Sequence, residues 1–427
     1  MGLEELRRAS KRLLLEIIRS AAERRSVALK AAAEKLRLGL PLEDPSVEAE
    51  LWAAAVEEAG RLGMDERAAG RLTWSLVRDA LIAEGALREE PIAQPGASEE
   101  DVVRLDLDLW APLLELRGEG TSSLEEAEAR LAEALGAPRG SLVAFPSWRE
   151  ALRVVLSAMA DGSGVFVYEP VHPWIVRAIW EAGGRPYRVH REVGDCWRVS
   201  APEASRRGWM VLLEDPDYVT GISHREKELA EVYSAADSAG MPVLHASACT
   251  LTSAPLQGSA HAGASVSVGG LGCALGSIDA GPSWAVSRAL SERLRRLRDS
   301  LGMLPRPTDV SAAASAMASG ALEGVRGEIR RRIDILGSLI PSGLLEYCEP
   351  SSGPHAFMTG RRPPAWMSGV AVARGSAFGS YADGFRINFM VDEDSLRLGL
   401  GRLILSLLPR GQASGARTSP SGARATP

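Results

Sequence analysis

The sequence predicts two domains of different class: an all-α N-terminal domain of three helices, followed by a larger α/β domain with a mostly parallel sheet. Residues 1–88 carry apolar residues at helical spacing and no alternating strand pattern. From residue 101 onward, short apolar runs alternate with helical stretches, which is typical of an open sheet with helices on both faces. A chain of 427 residues is long enough to bury both cores.

The first domain is predicted to contain three helices. The first runs from Leu3 to about Leu38 without an interior proline, which makes it roughly 35 residues and about 50 Å long. The second begins after Asp44, a suitable N-terminal cap, and ends near Leu62. The third ends near Gly85. This arrangement leaves no strand in the first domain.

The second domain is predicted to occupy residues 101–408. Its clearest strand-like runs are Gly164–Tyr168, Trp209–Leu213 and Met241–His245. Its clearest helical stretches are Leu124–Leu135, Trp148–Met159 and His224–Ala239.

Two further stretches are predicted to lie outside the domains. Residues 89–100 carry two prolines and no periodicity, so we expect a linker. Residues 409–427 consist mainly of Gly, Ser, Ala, Pro and Arg, so we expect a disordered tail.

Composition and charge exclude several classes of function. The formal net charge is -6, with 49 basic and 55 acidic residues interleaved, so no broad field attracts nucleic acid or an anionic membrane. The sequence has neither a signal-peptide run nor a long uncharged apolar stretch, and we expect a cytoplasmic protein. The four cysteines lack paired spacing, which predicts buried apolar side chains and neither disulfides nor a metal site.

Charges on the first helix indicate an anion-binding site. The helix carries ten basic and five acidic residues in a chain that is acidic overall. Arg24 and Lys35 are 11 residues apart, so they project within about 20° of each other and about 16 Å apart along the axis. Arg7 projects about 100° away from Arg24, and we expect it to reach a neighbouring subunit's site. The simpler interpretation is a set of solvated helix faces.

The pattern resembles the all-helical chorismate mutases over the first 90 residues. The resemblance rests on a long helix with Arg7, Arg24 and Lys35, the run from Pro41 to Glu48, and a closing helix with Glu84. It implies a homodimer in which Arg7 of the partner subunit completes each site, with chorismate as substrate, prephenate as product and no cofactor. The sequence departs from the family pattern at Val47 and Ala80, and both changes weaken the grip on one carboxylate.

The implied reaction is a one-step pericyclic rearrangement, which needs positioning and electrostatic stabilisation but no nucleophile. By resemblance, Arg24 and Arg7 of the partner subunit bind the two carboxylates, and Lys35 donates to the ether oxygen. Asp44 and Glu48 take the ring hydroxyl. Glu84 donates to the ether oxygen only when it is protonated, so its surroundings must raise its pKa.

Residues 101–408 resemble the fold-type I aminotransferases, which implies a small C-terminal α/β subdomain. The segments that carry the resemblance occur in the family's order: Ser122-Ser123-Leu124-Glu125, Ser147-Trp148-Arg149, Glu169-Pro170-Val171-His172-Pro173, Asp215-Pro216-Asp217-Tyr218, Ser265-Val266-Ser267-Val268 and Phe385-Arg386-Ile387-Asn388.

The residues that hold pyridoxal phosphate in that family are replaced. Val268 stands at the lysine position, Ala246 at the position of the aspartate that pairs with the pyridinium, and Tyr218 at the asparagine of the turn. We therefore expect an isomerase without cofactor and without aminotransferase activity.

The large domain is then expected to act as a dimer scaffold or as a regulatory ligand-binding domain. Arg386, Ser265 and His172 are the candidate ligand residues, although an arginine on a strand more often forms a structural ion pair.

A rival interpretation comes from transcription regulators that join DNA-binding helices to an aminotransferase-like effector domain. A winged-helix module needs a short recognition helix and a β-hairpin, whereas residues 1–88 offer one very long helix. A second rival is a structural protein in which neither domain is active.

Overall fold

The computed structural model describes residues 2–40, 42–85, 102–117, 123–202, 208–250, 264–360, 369–381 and 383–408. The predicted linker at 89–100 and the predicted tail at 409–427 lie outside these residues.

The N-terminal domain consists of three helices, α1 (Leu3–Arg37), α2 (Pro45–Leu62) and α3 (Glu66–Glu84). The predicted helices are confirmed to within a few residues, because their ends are set by local signals. Asp44 caps α2 through a hydrogen bond from the Val47 amide, and Gly63 ends it in the left-handed conformation at φ 69°. α1 packs against α3 through its C-terminal half, where Ala32 is buried.

The core of the large domain is a seven-stranded sheet. Its strands are β2 (Leu142–Phe145), β3 (Gly164–Tyr168), β4 (Arg185–Val189), β5 (Met210–Glu214), β6 (Val243–Ser247), β7 (Ala264–Gly270) and β8 (Ser283–Val286). Their spatial order is β2-β8-β7-β6-β5-β3-β4. Only β8 runs antiparallel to its neighbours among the described strands. The strands are fully buried or nearly so, as expected for a parallel sheet covered on both faces.

Helices accompany this sheet along the described chain. They are α4 (Leu124–Ala134), α5 (Trp148–Met159), α6 (Pro173–Glu181), α7 (Glu226–Ser238), α8 (Gly272–Leu275), α9 (Ser291–Ser300), α10 (Pro307–Ala318), α11 (Leu322–Leu339) and α12 (Glu393–Leu407). Short 3₁₀ turns occur at Val193–Asp195 and Gly375–Phe378.

A smaller antiparallel sheet forms the C-terminal part. Its order is β12 (Ala373–Arg374), β13 (Gly384–Asn388), β10 (His355–Thr359) and β9 (Glu346–Tyr347). A parallel pair, β1 (Val103–Arg104) and β11 (Val370–Ala371), ties the start of the large domain to this part. The predicted fold class, a helical domain followed by an α/β domain with a mostly parallel sheet, is confirmed.

The helical domain packs against the large domain through aromatic side chains. The rings of Trp74 and Tyr187 lie 6.1 Å apart, those of Trp52 and Trp209 lie 6.2 Å apart, and those of Tyr187 and Trp209 stack at 4.3 Å. Trp52 Nε1 also donates to the Gly162 carbonyl at 3.0 Å. Large aromatic surfaces buried in this way hold the two domains together.

Two glycines allow the backbones of the two domains to meet. A Cβ atom on Gly70 of α3 would lie 2.8 Å from Gly162 Cα. A Cβ atom on Gly162, whose φ is +74°, would lie 2.6 Å from the Arg67 carbonyl oxygen. Any side chain at either position would therefore separate α3 from the loop that precedes β3.

The prediction of buried cysteine side chains is confirmed for Cys249, Cys273 and Cys348, but the prediction of no disulfides is wrong. Cys196 pairs with Cys348, and Cys249 pairs with Cys273, with Cα atoms 5.3 and 5.0 Å apart. Cys196 and Cys348 are 152 residues apart in the sequence, so their spacing does not indicate that they are close in space.

No helix within the described ranges has both the length and the apolar character that crossing a membrane requires.

Candidate functional site

Four of the charged residues singled out from the sequence lie near one another in the helical domain. Arg24 and Lys35 come from α1, Glu48 from the first turn of α2, and Glu84 from the last turn of α3. Burial raises the pKa of the Glu84 carboxyl above its usual value, Glu48 adds to this rise, and the positive charges of Lys35 and Arg24 oppose it. Such mutual influence requires the four groups to be close in space.

The two cations of this cluster contact backbone oxygens. Arg24 Nη1 donates to the Leu76 carbonyl at 2.7 Å, and Lys35 Nζ donates to the Leu42 carbonyl at 2.7 Å. Both side chains are half-buried. Their hydrogen bonds thus go to neutral partners, while the carboxyl group of Glu84 lies within electrostatic reach of both cations and that of Asp44 within reach of Lys35.

Glu48 makes a contact that the sequence did not predict. Its carboxylate forms a two-point ion pair with Arg185, the first residue of β4, with Nε to Oε2 at 2.6 Å and Nη2 to Oε1 at 3.0 Å. Arg185 Nη2 also contacts Glu43 Oε2 at 3.0 Å. The pair is separated by 137 residues, and no local spacing in the sequence connects its members.

Asp44 and Arg7 occupy different settings. Asp44 Oδ1 accepts from Ser46 Oγ at 2.7 Å and from the Val47 amide at 3.3 Å, and these two bonds hold the pKa of Asp44 below its usual value. Arg7 is exposed, ion-pairs with Glu4 at 2.7 Å on the same helix, and lies 17 residues before Arg24, about 25 Å along α1.

The N-terminal half of α1 presents an apolar stripe, which we call the α1 stripe. Its members lie within an arc of about 140° and are each at least 47% exposed: Leu3, Leu6, Leu13, Leu14, Ile17 and Ile18. Arg7 projects within the same arc. Further along this face, Ala32 is buried against the other helices of its own domain. One face of α1 is thus covered at one end and bare at the other.

In the large domain, Arg386 lies fully buried on β13. Its Nη2 pairs with Asp108 Oδ1 at 2.7 Å and donates to the Asp106 carbonyl at 3.3 Å. Among the described residues, Arg386 Nε and Nη1 have no hydrogen-bond partner. The carboxylate that Arg386 holds in this structure is therefore one from its own chain.

Two histidines complete the surroundings of Asp108. His172 Nε2 and His355 Nε2 each lie 3.2 Å from one of its oxygens. Burial alone would raise the pKa of Asp108, but the Arg386 charge and the two histidines outweigh it and hold that pKa well below its usual range. Burial lowers the pKa of His172, and burial together with the Arg386 charge lowers the pKa of His355 to about 4. Both rings are therefore neutral at pH 7.

His172 also has a structural task. It caps α6, where its Nδ1 accepts from the Trp174 amide at 3.2 Å. Ser265 belongs to the backbone of β7, and its side chain lies outside the described part of the chain.

Pyridoxal phosphate, the cofactor implied by the fold-type I resemblance, does not fit the residues present. Val268 is 2% exposed on β7 and offers no amine, and Ala246 is buried on β6 and offers no carboxylate. Lys227 is exposed in the first turn of α7, and the other three lysines of the sequence lie in α1. We derive no reaction step through this cofactor.

No protein-family model and no curated protein matches the sequence. Solved structures do match, and they are aminotransferases. The chain is similar to the aspartate aminotransferase of Thermus thermophilus with maleate, at a TM-score of 0.59 and 17% identity, over 72% of this chain and 92% of that one. It is similar to a methionine aminotransferase from Escherichia coli at a TM-score of 0.61 and 18% identity, over 72% and 94% of the two chains.

A third similar structure is the aromatic aminotransferase of Pyrococcus horikoshii OT3, at a TM-score of 0.59 and 19% identity, over 73% of this chain and 96% of that one. At such identities the likeness shows the fold alone. The large domain therefore has an aminotransferase-like fold of type I, preceded by a separate helical region.

The comparisons contradict one expectation. We expected an isomerase without aminotransferase activity, yet the matched structures are aminotransferases and cover about 72% of the chain. The expectation that aminotransferase activity is absent is therefore corrected, and the likeness itself shows only the fold. The comparisons do not support a DNA-binding regulator, and residues 2–40 and 42–85 contain helices but no strand from which a wing is built.

Proposed function

We propose that the helical domain binds chorismate and catalyses its rearrangement to prephenate. The observation that supports this most strongly is that Arg24 and Lys35 of α1 contact the Leu76 and Leu42 carbonyls, within electrostatic reach of Glu84. Chorismate carries two carboxylates, a hydroxyl and an ether oxygen, and this set of cations and carboxyl groups offers partners for one carboxylate, the hydroxyl and the ether oxygen.

Each group has a distinct role in the proposal. Arg24 binds a carboxylate of the substrate with a guanidinium that the Leu76 carbonyl already holds in place. Lys35 donates to the ether oxygen, where negative charge develops in the transition state. Glu84, whose pKa burial raises, donates to the same oxygen in its protonated form.

Glu48 accepts the ring hydroxyl of the substrate through the lone pairs that Arg185 does not use. Asp44, which caps α2 one turn before Glu48, is the alternative acceptor for the single hydrogen of that hydroxyl. No covalent intermediate forms, because the reaction breaks one carbon–oxygen bond and makes one carbon–carbon bond in a single step.

The proposal includes a homodimer in which a second copy covers the α1 stripe. Single exposed apolar residues are common on protein surfaces, but six large ones in one stripe indicate a contact surface. Arg7 projects on that same face, so a second copy packed there would receive Arg7 at its own site. The chemistry supports this, because the second carboxylate of the substrate needs a further cation.

The direct test is the loss of chorismate absorbance with the purified full-length protein. Turnover that produces prephenate is expected, and no turnover above the uncatalysed rate overturns the proposal. Transamination by the large domain is a separate question, and the same preparation is assayed with amino acids and 2-oxo acids in parallel.

Mixing two inactive variants tests the shared site. Arg7→Ala and Lys35→Ala remove groups that belong to different subunits of one site, so co-refolded mixtures contain dimers with one intact site. About a quarter of wild-type activity is expected at an equal mixture, from random assembly. Activity no higher than that of the separate variants would contradict the sharing of Arg7.

A second candidate function concerns the large domain. Arg386 keeps two buried nitrogens, Nε and Nη1, without hydrogen-bond partners among the described residues, which costs free energy unless a ligand satisfies them. This favours a regulatory site for a carboxylate that displaces or joins Asp108. Calorimetry with phenylalanine, tyrosine and prephenate is expected to give binding heat for at least one, and no heat for any of them overturns the idea.

A further inference from the structure

The contact between Glu48 and Arg185 joins the two domains inside the proposed site. Arg185 is buried, and three of its nitrogens are engaged: Nε and Nη2 by the Glu48 carboxylate, and Nη1 by the Pro186 carbonyl at 3.0 Å. Its guanidinium also lies over the rings of Trp180 and Tyr187, 5.0 and 5.1 Å from their centroids. Arg185 is therefore fixed by the large domain independently of Glu48.

The fixed guanidinium of Arg185 determines the orientation of the Glu48 carboxylate. Two parallel hydrogen bonds place the Glu48 carboxylate in the plane of the Arg185 guanidinium, so its orientation follows that of β4 rather than the rotamers of α2. The remaining lone pairs of the two Glu48 oxygens then have fixed directions in which they can accept a hydrogen bond.

The ion pair with Arg185 also reduces the repulsion between Glu48 and the neighbouring carboxylates. Glu48 and Glu84 lie close enough to affect each other, and Glu43 adds a third carboxylate nearby. Lys35 and Arg24 are needed for an anionic substrate, so their charges are not available to neutralise Glu48. Arg185 offsets part of the charge of Glu48 and Glu43 from the side of the large domain, which lessens the demand on the two helix cations.

We propose that Arg185 is a positioning residue for the mutase reaction, and that the large domain thereby supplies part of the helical domain's site. This inference rests on the proposed function, because it assigns Arg185 a role through Glu48. It predicts that an exchange of one side chain on β4, in a different domain, changes turnover of chorismate.

The test uses full-length Arg185→Met, Arg185→Lys, Glu48→Gln and the double variant of Glu48→Gln with Arg185→Met. We expect Arg185→Met to lower kcat/KM for chorismate by about 30-fold, mainly through a higher KM, because Glu48 holds the hydroxyl in ground and transition state alike. Arg185→Lys keeps the charge but cannot bind both oxygens, so an intermediate loss of about fivefold is expected.

The matched control is Arg71→Met. Arg71 of α3 pairs with Asp161 across the same domain boundary, but it is 48% exposed and does not contact Glu48. We expect kcat/KM to stay within about twofold of wild type in this variant. A loss equal to that of Arg185→Met would mean that any weakening of the boundary lowers activity, and would overturn a specific role for Arg185.

The double variant separates positioning from simple stability. If Arg185 acts through Glu48, its removal adds nothing once Glu48→Gln is in place, and the two effects are not additive. Additive losses overturn the inference. The double variant carries no unpaired Glu48 carboxylate, so it is expected to lose less stability than Arg185→Met alone, which urea unfolding measures.

Failure of the inference and failure of the proposed function give different results. If the wild-type protein does not turn over chorismate, both the proposed function and the role of Arg185 are wrong. Wild-type turnover with Arg185→Met and Arg185→Lys both within twofold of it removes the role of Arg185 and leaves the proposed mutase in place.

Discussion

The candidate ligand-binding cations of the two domains have different kinds of partner. In the helical domain Arg24 and Lys35 are half-buried and donate to neutral backbone carbonyls. In the large domain Arg386 is fully buried and paired with Asp108. In the first arrangement neutral carbonyls orient the cations, whereas in the second a carboxylate of the same chain pairs with the arginine. An arginine at a family's ligand position is thus informative only when its present partner is known.

The difference extends to the acidic groups. Glu84 has a raised pKa at a half-buried position, which suits a group that exchanges a proton. Asp108 has a strongly lowered pKa, because it is locked between Arg386, His172 and His355. The proposed mutase role uses the helical cluster, whereas the Asp108 cluster pairs charges within the chain.

The strongest test of this comparison is Arg24→Ala. Loss of the guanidinium that grips a substrate carboxylate is expected to lower kcat/KM for chorismate by about a thousandfold, or about 4 kcal/mol. The neighbouring Arg25→Ala is the control, since Arg25 is about half exposed and pairs only loosely with Asp79 at 3.6 Å. Equal effects from both variants, measured by steady-state kinetics, would contradict a specific site at Arg24.

In the large domain, Asp108→Ala is expected to act on stability. It leaves the Arg386 charge buried and unpaired, which lowers the free energy of unfolding by about 3 kcal/mol. Urea unfolding measures the loss. The exposed pair of Glu115 and Arg117 is the control, because Glu115→Ala is expected to change stability by less than about 0.5 kcal/mol. Similar values for the two variants would mean that the Asp108 cluster contributes no more than a surface pair.

Acid sensitivity follows from the same cluster. The pKa of His355 is lowered to about 4 in the folded protein, below its usual value, so the unfolded chain binds the proton more readily. The contribution of His355 to the free energy of unfolding is complete above about pH 6.5. It decreases by about 1 kcal/mol per pH unit as the pH falls toward 4. Thermal unfolding at several pH values measures it.

The variant His355→Gln is expected to show a shallower fall in stability over that pH window. An unchanged slope would assign the acid sensitivity to other groups, such as His224, whose pKa burial also lowers to about 4.

The smallest expected effect belongs to Glu84. Because its pKa is raised, the protonated donor is lost as the pH rises, and mutase activity is expected to fall about tenfold toward alkaline pH. Glu84→Gln donates at every pH and is expected to give a flatter profile, with Asp79→Asn on the same helix as the control. A wild-type profile that is already flat would remove Glu84 from the donor role.

The fold was largely predictable because its signals are local. The bounds of α1, α2 and α3 follow from helical periodicity, the Asp44 cap and glycine at the ends. The strand predicted at Gly164–Tyr168 appears with those bounds, and the strands predicted at Trp209 and Met241 begin one and two residues later. Such shifts are small because a run of apolar residues marks a buried strand even without its neighbours.

The partners of charged residues were not predictable in the same way. The sequence singled out Glu48 and Arg386, but it did not connect them to Arg185 or Asp108. Neither partner belongs to a recognisable motif, and nothing in their local spacing marks them as partners.

By itself, therefore, the sequence determined the bounds of the three N-terminal helices, the approximate position of three strands, and the concentration of cations on α1. Only the tertiary structure decided which charges are cancelled and which remain, and which cysteines meet, as Cys196 and Cys348 do across 152 residues. The physical reason is that periodicity and capping act within a few residues, whereas ion pairs and disulfides depend on distances in space that packing of the whole chain sets.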